Sequence, residues 1–388
     1  MTPLEPLGIP PSRWESLAEG WGLPRYRGRQ IFDALHRRGR RGYEEMREIP
    51  RDLRERLARE LPVRLPEVAR REASRDGSVK YGLRLTDGAL IEAVFMPGEG
   101  GHAAVNEFED ARRNSKFEIR NSNLELASQP ARKFTVCLSS QTGCAVDCAF
   151  CVTGRLGGGR NLSAGEILGQ TYAVLDDLGR KANGLRVVFM GMGEPFLNPD
   201  GVIGALEVLF EVLSPRRVTV STSGIVSAFD RFAALPRRPD LAVSVNAADE
   251  ETRNRLMPIN RTYPLADLVR AMRKWPLEPR RRITVEYVLI SGVNDSPEDA
   301  RRLTKLLSGI AVKINVIPLN EDPTYLPGWS RPGEEEIERF TRALATSGAV
   351  VTVRRSKGLD AKAACGQLKG RLEDPRRRAA ITPPGRRV

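Results

Sequence analysis

Histidine is nearly absent from this chain. His36 and His102 are the only two among 388 residues and lie in different segments, which excludes a histidine-rich metal centre. No run of about 18 consecutive apolar residues occurs, and the N-terminus has no charged stretch leading into an apolar one. Neither a membrane span nor a secretory signal is therefore expected, and the protein is placed in the cytoplasm. Cysteine is scarce too, with five residues. In a reducing compartment these are poor material for structural disulfides, which leaves metal ligation, catalysis or burial as small hydrophobes. Acidic residues are outnumbered, 49 against 62 basic ones, for a formal charge of +13. Such a chain attracts polyanions, nucleic acid first, although a genome that favours arginine produces the same surplus. With 40% hydrophobic and 29% charged residues the composition is that of a soluble globular enzyme. The length accommodates one α/β domain of about 250 residues and a smaller appendage.

Four parts follow one another. Residues 1–75 are Pro-rich to Pro24 and then form two helices between Tyr26 and Leu61. Ile31, Phe32 and Leu35 line one face of the first, and Leu53, Leu57 and Leu61 one face of the second. Arg37, Arg38, Arg40 and Arg41 crowd the break between them. This part is either a module that offers positive charge to an RNA phosphate backbone or a plain solvated helix pair. Residues 76–133 hold a strand pair from Lys80 to Met96, turning at Asp87-Gly88. They also hold a stretch at about 98–130 that loses hydrophobic periodicity and carries a near-repeat, Asn114 to Arg120 and Asn121 to Ala127. That stretch reads as an insertion, either a small hairpin turning near Asn121-Ser122 or a mobile loop. Residues 134–366 form the main domain and 367–388 a basic tail. Arginine is dense at Arg280, Arg281 and Arg282 in the former, and at Arg376, Arg377, Arg378, Arg386 and Arg387 in the latter.

From Phe134 onward short β-branched runs alternate with amphipathic stretches. Strands are expected at Phe134–Leu138, Arg186–Met190, Val218–Ser221, Leu241–Val245, Thr284–Ile290, Lys313–Ile317 and Val350–Val353. Helices such as Ala164–Asp177, Val202–Leu213, Glu298–Leu307 and Glu335–Thr346 fall between them. Repeating βα units imply a parallel sheet with helices outside, a full or partial barrel whose chemistry sits at the C-terminal strand ends.

The distinctive motifs fall at those ends. Cys144, Cys148 and Cys151 form a CxxxCxxC loop directly after a strand. Three thiolates can hold three irons of a [4Fe–4S] cluster and leave the fourth open, whereas an electron carrier closes all four. The alternative is a Cys3His zinc site using His36 or His102, although both lie in other segments. Gly191-Met192-Gly193-Glu194-Pro195 follows the next strand and, taken alone, is a tight turn with a solvated carboxylate. Ser221-Thr222-Ser223-Gly224, Ser244-Val245-Asn246 and Pro318-Leu319-Asn320 end later strands. Their short polar groups suit a ribose and a carboxylate, or act as ordinary strand-end caps. Cys137 ends a strand seven residues before Cys144, and Cys365 lies in Ala363-Ala364-Cys365-Gly366-Gln367-Leu368. Either one alone is more often a buried hydrophobe than a nucleophile.

The cysteine loop, with Phe150 just before its last cysteine, resembles the radical S-adenosylmethionine (SAM) superfamily, in which the open iron binds the amino and carboxylate groups of SAM. Further likeness lies in Gly193-Glu194-Pro195, Cys137, Cys365, Arg160-Asn161-Leu162, Leu256-Met257-Pro258-Ile259-Asn260 and Gly292-Val293-Asn294-Asp295. From about Tyr26 to Leu368 the chain resembles the RlmN/Cfr family of RNA adenosine methyltransferases. Phe196-Leu197-Asn198 and Ile317-Pro318 look more like the RlmN side. The resemblance implies an α/β fold, a radical SAM partial (β/α)6-type barrel with a small N-terminal helical domain. It implies a [4Fe–4S] cluster on Cys144, Cys148 and Cys151, and SAM held by Gly193, Glu194, Ser221, Ser244, Val245, Asn246 and Asn320. Two SAM molecules are consumed: Cys365 takes a methyl group from one, and a radical made from the other activates that methyl to add to the adenine ring. Cys137 then resolves the adduct through a transient disulfide with Cys365, while Glu92, at the matching strand position, accepts the ring proton. The implied substrate is adenine C2 in 23S rRNA and in tRNA, the reductant is of flavodoxin type, and the protein acts as a monomer. A C8 methyltransferase and a non-catalytic RNA-binding iron–sulfur protein are the competing readings. Two departures stand out. Asn246 occupies a position where the family usually has histidine and cannot titrate, and the insertion would keep Glu92 from the substrate if it disturbed the sheet edge.

Overall fold

The computed structural model describes residues 4–98, 133–354 and 356–369. The body of the expected insertion with its near-repeat, His102 and the basic tail beyond Lys369 lie outside the described residues.

Ten strands form one sheet in sequence order. β1 (Glu67–Ala73), β2 (Val79–Arg84) and β3 (Leu90–Pro97) are antiparallel, and β3 pairs antiparallel with β4 (Phe134–Cys137). From β4 the sheet runs parallel through β5 (Leu185–Phe189), β6 (Val218–Thr222), β7 (Asp240–Ser244), β8 (Ile283–Leu289), β9 (Val312–Pro318) and β10 (Val351–Val353). This is the expected barrel, each strand within a residue or two of its anticipated ends. In β6, Val218, Val220 and Thr222 are buried while Thr219 and Ser221 are partly open. The period of two thus puts the branched residues under the helices and short polar ones toward the barrel interior. The helix Ala164–Asp177 starts where Ser163 caps it. Its Oγ accepts from the Glu166 N–H at 3.0 Å, and the Glu166 carboxylate accepts from the Ser163 N–H at 2.9 Å.

Among the elements not anticipated, two lie near the N-terminus. α1 (Pro11–Gly20) is hidden by its prolines, which sit in the first turn where a missing N–H has no intrahelical partner to lose. β1 is an edge strand of mostly charged, half-open residues without apolar alternation, so the sheet begins inside the span assigned to the helical part. α1, α2 (Arg25–His36) and α3 (Arg51–Glu60) share their core with the barrel, since Trp14, Ile31, Phe32 and Leu57 join the same buried cluster as the strands. α1 and α2 cross closely: a Cβ on Gly28 would stand 2.3 Å from the Trp14 carbonyl.

A coil at 356–369 bridges the antiparallel strands and the loop after β9, and it carries Cys365. On one side, Asp360 accepts from Ser74 Oγ and from the Arg75 N–H, and the Gly358 N–H donates to Asp76 at 2.8 Å. Lys357 Nζ donates to the Pro97 carbonyl at 2.7 Å, and the Lys369 N–H to Glu92 Oε2 at 2.9 Å. On the other, Asn320 Nδ2 donates to the Cys365 carbonyl at 3.0 Å and Gln367 Nε2 to the Glu321 carbonyl at 3.2 Å. Among the described residues no helix is long and apolar enough to cross a membrane.

Gly28→Ala places a methyl group against the α1 backbone and is expected to destabilise the fold by about 1–3 kcal/mol. A lowered thermal unfolding midpoint measures this, and an unchanged midpoint would contradict the close crossing.

Candidate active site

A cavity at the C-terminal ends of the parallel strands is lined by Cys144, Cys148, Cys151, Gly193, Glu194, Ser221, Ser244, Asn320 and Cys365. The cysteine loop is shaped by Asp147, whose φ of 52° lies in the left-handed region. Hydrogen bonds from the Cys144 N–H to the Gly157 carbonyl and from the Ala149 N–H to the Leu256 carbonyl, both 2.9 Å, hold it. Burial pushes the Cys144 thiol up to about 12 and the Cys148 and Cys151 thiols above their ordinary value, and the three oppose one another's ionisation. Bare thiolates are disfavoured there, and cationic iron would offset both effects. No His, Cys, Asp or Glu trio among the described residues converges on a single metal ion. Thiolates bound to separate irons of a cube need not converge, so the donor set fits a cluster better than zinc. His36 is buried at the end of α2 and hydrogen-bonded to Tyr172.

The Gly-Glu-Pro turn is not solvated. Glu194 is buried: its Oε1 accepts from the Phe196 N–H at 2.9 Å, and its Oε2 accepts from both the N–H and Oγ of Ser223 at 2.7 Å. Burial raises its pKa, while these donors and the Thr222 hydroxyl favour the carboxylate. Gly193, at φ 96°, is the residue the turn requires, since a Cβ would lie 2.7 Å from the Gln141 nitrogen.

Val245 and Asn246 do not line the cavity. Val245 is a core residue, and Asn246 is buried with φ 59°. Asn246 Oδ1 accepts from the Val288 N–H at 2.8 Å and its Nδ2 approaches Met257 Sδ at 3.1 Å, so the side chain ties β7 to β8. Arg253, overlooked in the sequence because it sits in an ordinary charged helix, is wholly buried. It donates to the carbonyls of Ser223 at 2.9 Å and Val245 at 3.1 Å and to Asn260 Oδ1 at 2.6 Å, pinning the strand ends that carry Ser221 and Ser244.

Cys137 is buried at the end of β4 and lines a second cavity, which it shares with Cys365 and Arg354. Burial pushes its thiol up to about 12, with Cys365 adding to the effect. All five cysteines are free thiols, so the transient disulfide implied for Cys137 and Cys365 is not formed in this structure. Cys365 lines the first cavity as well. Arg354 also lines both cavities, and Cys365 raises its pKa, against burial, with help from Glu286 and Cys137. Glu286 was missed because it lies inside a strand. It lines the first cavity, and its Oε2 has no hydrogen-bond partner. Glu92 lines neither cavity. Its Oε2 accepts from Lys369, its Oε1 is 3.9 Å from Lys80 Nζ, and burial raises its pKa. The sheet edge is undisturbed, with Val94 opposite Cys137 in the β3–β4 register.

The parallel half-barrel with its cysteine loop and buried Gly-Glu-Pro turn defines a radical SAM enzyme, and the Radical SAM superfamily model matches residues 138–304. A radical SAM methyltransferase from Sphaerobacter thermophilus superposes with a TM-score of 0.80 at 38% identity, covering 95% of this chain and 100% of that one. The dual-specificity RNA methyltransferase RlmN of Anaeromyxobacter dehalogenans is 42% identical over 385 residues, 96% of this chain and 94% of its own. That of Marinobacter nauticus is 39% identical over 386 residues, with the same coverage. The chain belongs to the RlmN/Cfr family of radical SAM RNA methyltransferases, on the RlmN side. Membership implies a [4Fe–4S] cluster and SAM.

Gly193→Ala would force the turn away from Gln141 and shift Glu194. SAM affinity measured by calorimetry on reconstituted protein is expected to fall by about tenfold or more, the loss of one charge-assisted hydrogen bond, with iron content retained. Unchanged affinity would remove Glu194 from the SAM site.

Proposed function

We propose that the protein methylates C2 of an adenosine in 23S rRNA, and in tRNA, through a methyl group carried on Cys365. The observation that carries this reading is the position of Cys365, which faces the cluster cysteines in one cavity and Cys137 in the other. An adenine ring carbon is too weak a nucleophile for direct displacement, so the methyl must first be lodged on the protein and then activated. When bound on Cys144, Cys148 and Cys151, the cluster, fed by a flavodoxin-type reductant, supplies one-electron cleavage of SAM at its open iron, and two SAM molecules are consumed per turnover.

The chain's own residues divide the remaining work. Cys365 accepts the methyl group, and Asn320 fixes its backbone. Burial keeps Cys137 protonated, so it does not compete for the methyl group. It acts later, giving up its proton and attacking the Cys365 sulfur: an S–S bond forms, the S–C bond breaks, and the released methylene carbon, which keeps the bonding electrons, takes up a proton to become the methyl group. Glu92 accepts the ring proton, a role supported by its raised pKa and its place two residues from the partner of Cys137. Glu286 is the second candidate for that role, favoured by its unpartnered Oε2 on the cavity wall.

Cys365→Ala is expected to abolish methylation of RNA in an anaerobic assay with SAM and dithionite, while iron content stays at the wild-type level. Methylation by this variant would sink the carrier role, and mass spectrometry of digested RNA against C2 and C8 standards decides the position. Loss of the base should trap a covalent protein–RNA adduct, visible as a slower gel band. We expect it for Glu92→Gln and not for Glu286→Gln, and the reverse pattern would transfer the role to Glu286.

A further inference from the structure

Several arginines of the N-terminal part are already paired with carboxylates. Arg37 pairs with Asp33 at 3.2 Å, Arg41 with Asp176 at 2.9 Å, Arg51 with Glu55 at 2.8 Å and Arg56 with Glu60 at 2.9 Å, while Arg38 pairs with Glu48. A phosphate arriving there would have to displace carboxylates already in place. The opposite end of the barrel differs. The second cavity, about 980 Å³, opens among Arg186, Arg216, Arg217 and Lys313, all exposed and all at or just before the N-terminal ends of β5, β6 and β9. None of the four forms a salt bridge among the described residues. The one carboxylate on that wall, Asp240, is bridged to Arg281 at 3.0 Å, and Arg216 and Lys313 feel it only at longer range. Inward, the same cavity ends on Cys137, Arg354 and Cys365. Between the two cavities, the Val152 N–H donates to the Gly366 carbonyl at 2.7 Å and Thr153 Oγ1 to the Leu368 carbonyl at 2.7 Å, fastening the cysteine loop to the Cys365 coil.

We infer that RNA enters through this floor of the barrel: Arg186, Arg216, Arg217 and Lys313 hold the phosphates of a single-stranded loop while its flipped adenosine passes inward to Cys365. The inference rests on the proposed RNA substrate and adds where that substrate binds. Free cations on the rim of a funnel leading to the reacting sulfur raise the local concentration of a polyanion at the point where it is needed. The volume falls within the ~300–1,000 Å³ of ligand sites, enough for an extruded nucleotide. In the N-terminal part, in contrast, Arg29 and Arg41 are bound to Glu211 and Asp176 of the barrel helices, and the other cited pairs are internal to that part.

The test uses anaerobically reconstituted full chain and a fluorescein-labelled RNA hairpin with adenosine in its loop. A floor variant carries Arg186→Gln, Arg216→Gln, Arg217→Gln and Lys313→Gln; a control carries Arg38→Gln, Arg40→Gln, Arg51→Gln and Arg56→Gln. The floor variant is expected to bind about tenfold or more weakly, with the slope of log Kd against log salt shallower by roughly 0.7 for each phosphate that is no longer neutralised. Its KM for RNA rises while kcat at saturating RNA is retained, and its iron content is unchanged. The control should stay within about threefold of wild type, as expected for cations already paired. If the floor variant lost iron or stability, the pair Arg217→Gln and Lys313→Gln is read instead, on the salt slope alone. Wild-type affinity and slope in the floor variants, or a loss confined to the control, would overturn the inference and leave the methyltransferase reading intact. Wild-type protein that bound no RNA would overturn both.

Discussion

Under the proposed mechanism a methyl-carrying thiol must face a radical source on one side and a nucleotide on the other, and a thiol on a free coil does neither reliably. The hydrogen bonds that fasten the coil at 356–369 impose this constraint. They come from three directions: the β1–β2 turn and Glu92, the Asn320–Glu321 loop, and the cysteine loop through Val152 and Thr153. Each contributes only about 1 kcal/mol net, but together they remove the coil's freedom to leave the barrel. The three antiparallel strands take their purpose from this, because without β1–β3 the coil would have nothing to bind on one side. Cys365 then sits in the wall between two cavities.

The same economy of orientation governs the other end of the site. Glu194 is held by three donors from Phe196 and Ser223, and the Ser223 carbonyl is held in turn by Arg253, which also reaches Val245 and Asn260. A guanidinium buried this deeply loses hydration, and burial lowers its pKa to about 10. It is tolerated because its donors meet strand-end carbonyls that would otherwise be unsatisfied. The network fixes β6 and β7 relative to the turn, which is what binding a small charged cofactor across several strands demands.

The barrel and the cysteine loop were legible in the sequence, since alternating βα periods and close cysteine spacing are local signals. Cys144, Gly193, Ser221 and Asn320 met at one cavity because in such folds every strand delivers its C-terminal end to the same place. What escaped was non-local. Arg253 looks like any helical arginine until the carbonyls around it are seen, and Glu286 like any strand residue until its register beside Ser244 and Asn315 is known. Asn246 ends a strand, and its left-handed backbone turns the amide toward β8, a placement that no local sequence signal carries. β1 and α1 were missed because charge and proline conceal elements whose stability comes from packing rather than propensity.

The long insertion between β3 and β4 raised the question of whether Glu92 keeps its place. Register answers it. A slip of one residue would turn Val94 and Phe95 to the wrong faces, and both are buried, Phe95 in ring contact with Phe134. Lengthening the connection costs little beside that, about 0.6 kcal/mol for each doubling of a flexible loop. The side chains of the two strands set their alignment, and the length of chain joining them does not. Glu92 is moreover held by the coil it helps to anchor, through the Lys369 N–H. The distance in sequence between Glu92 and Cys137 therefore does not become a distance in space, and the carboxylate stays beside the segment that carries Cys365.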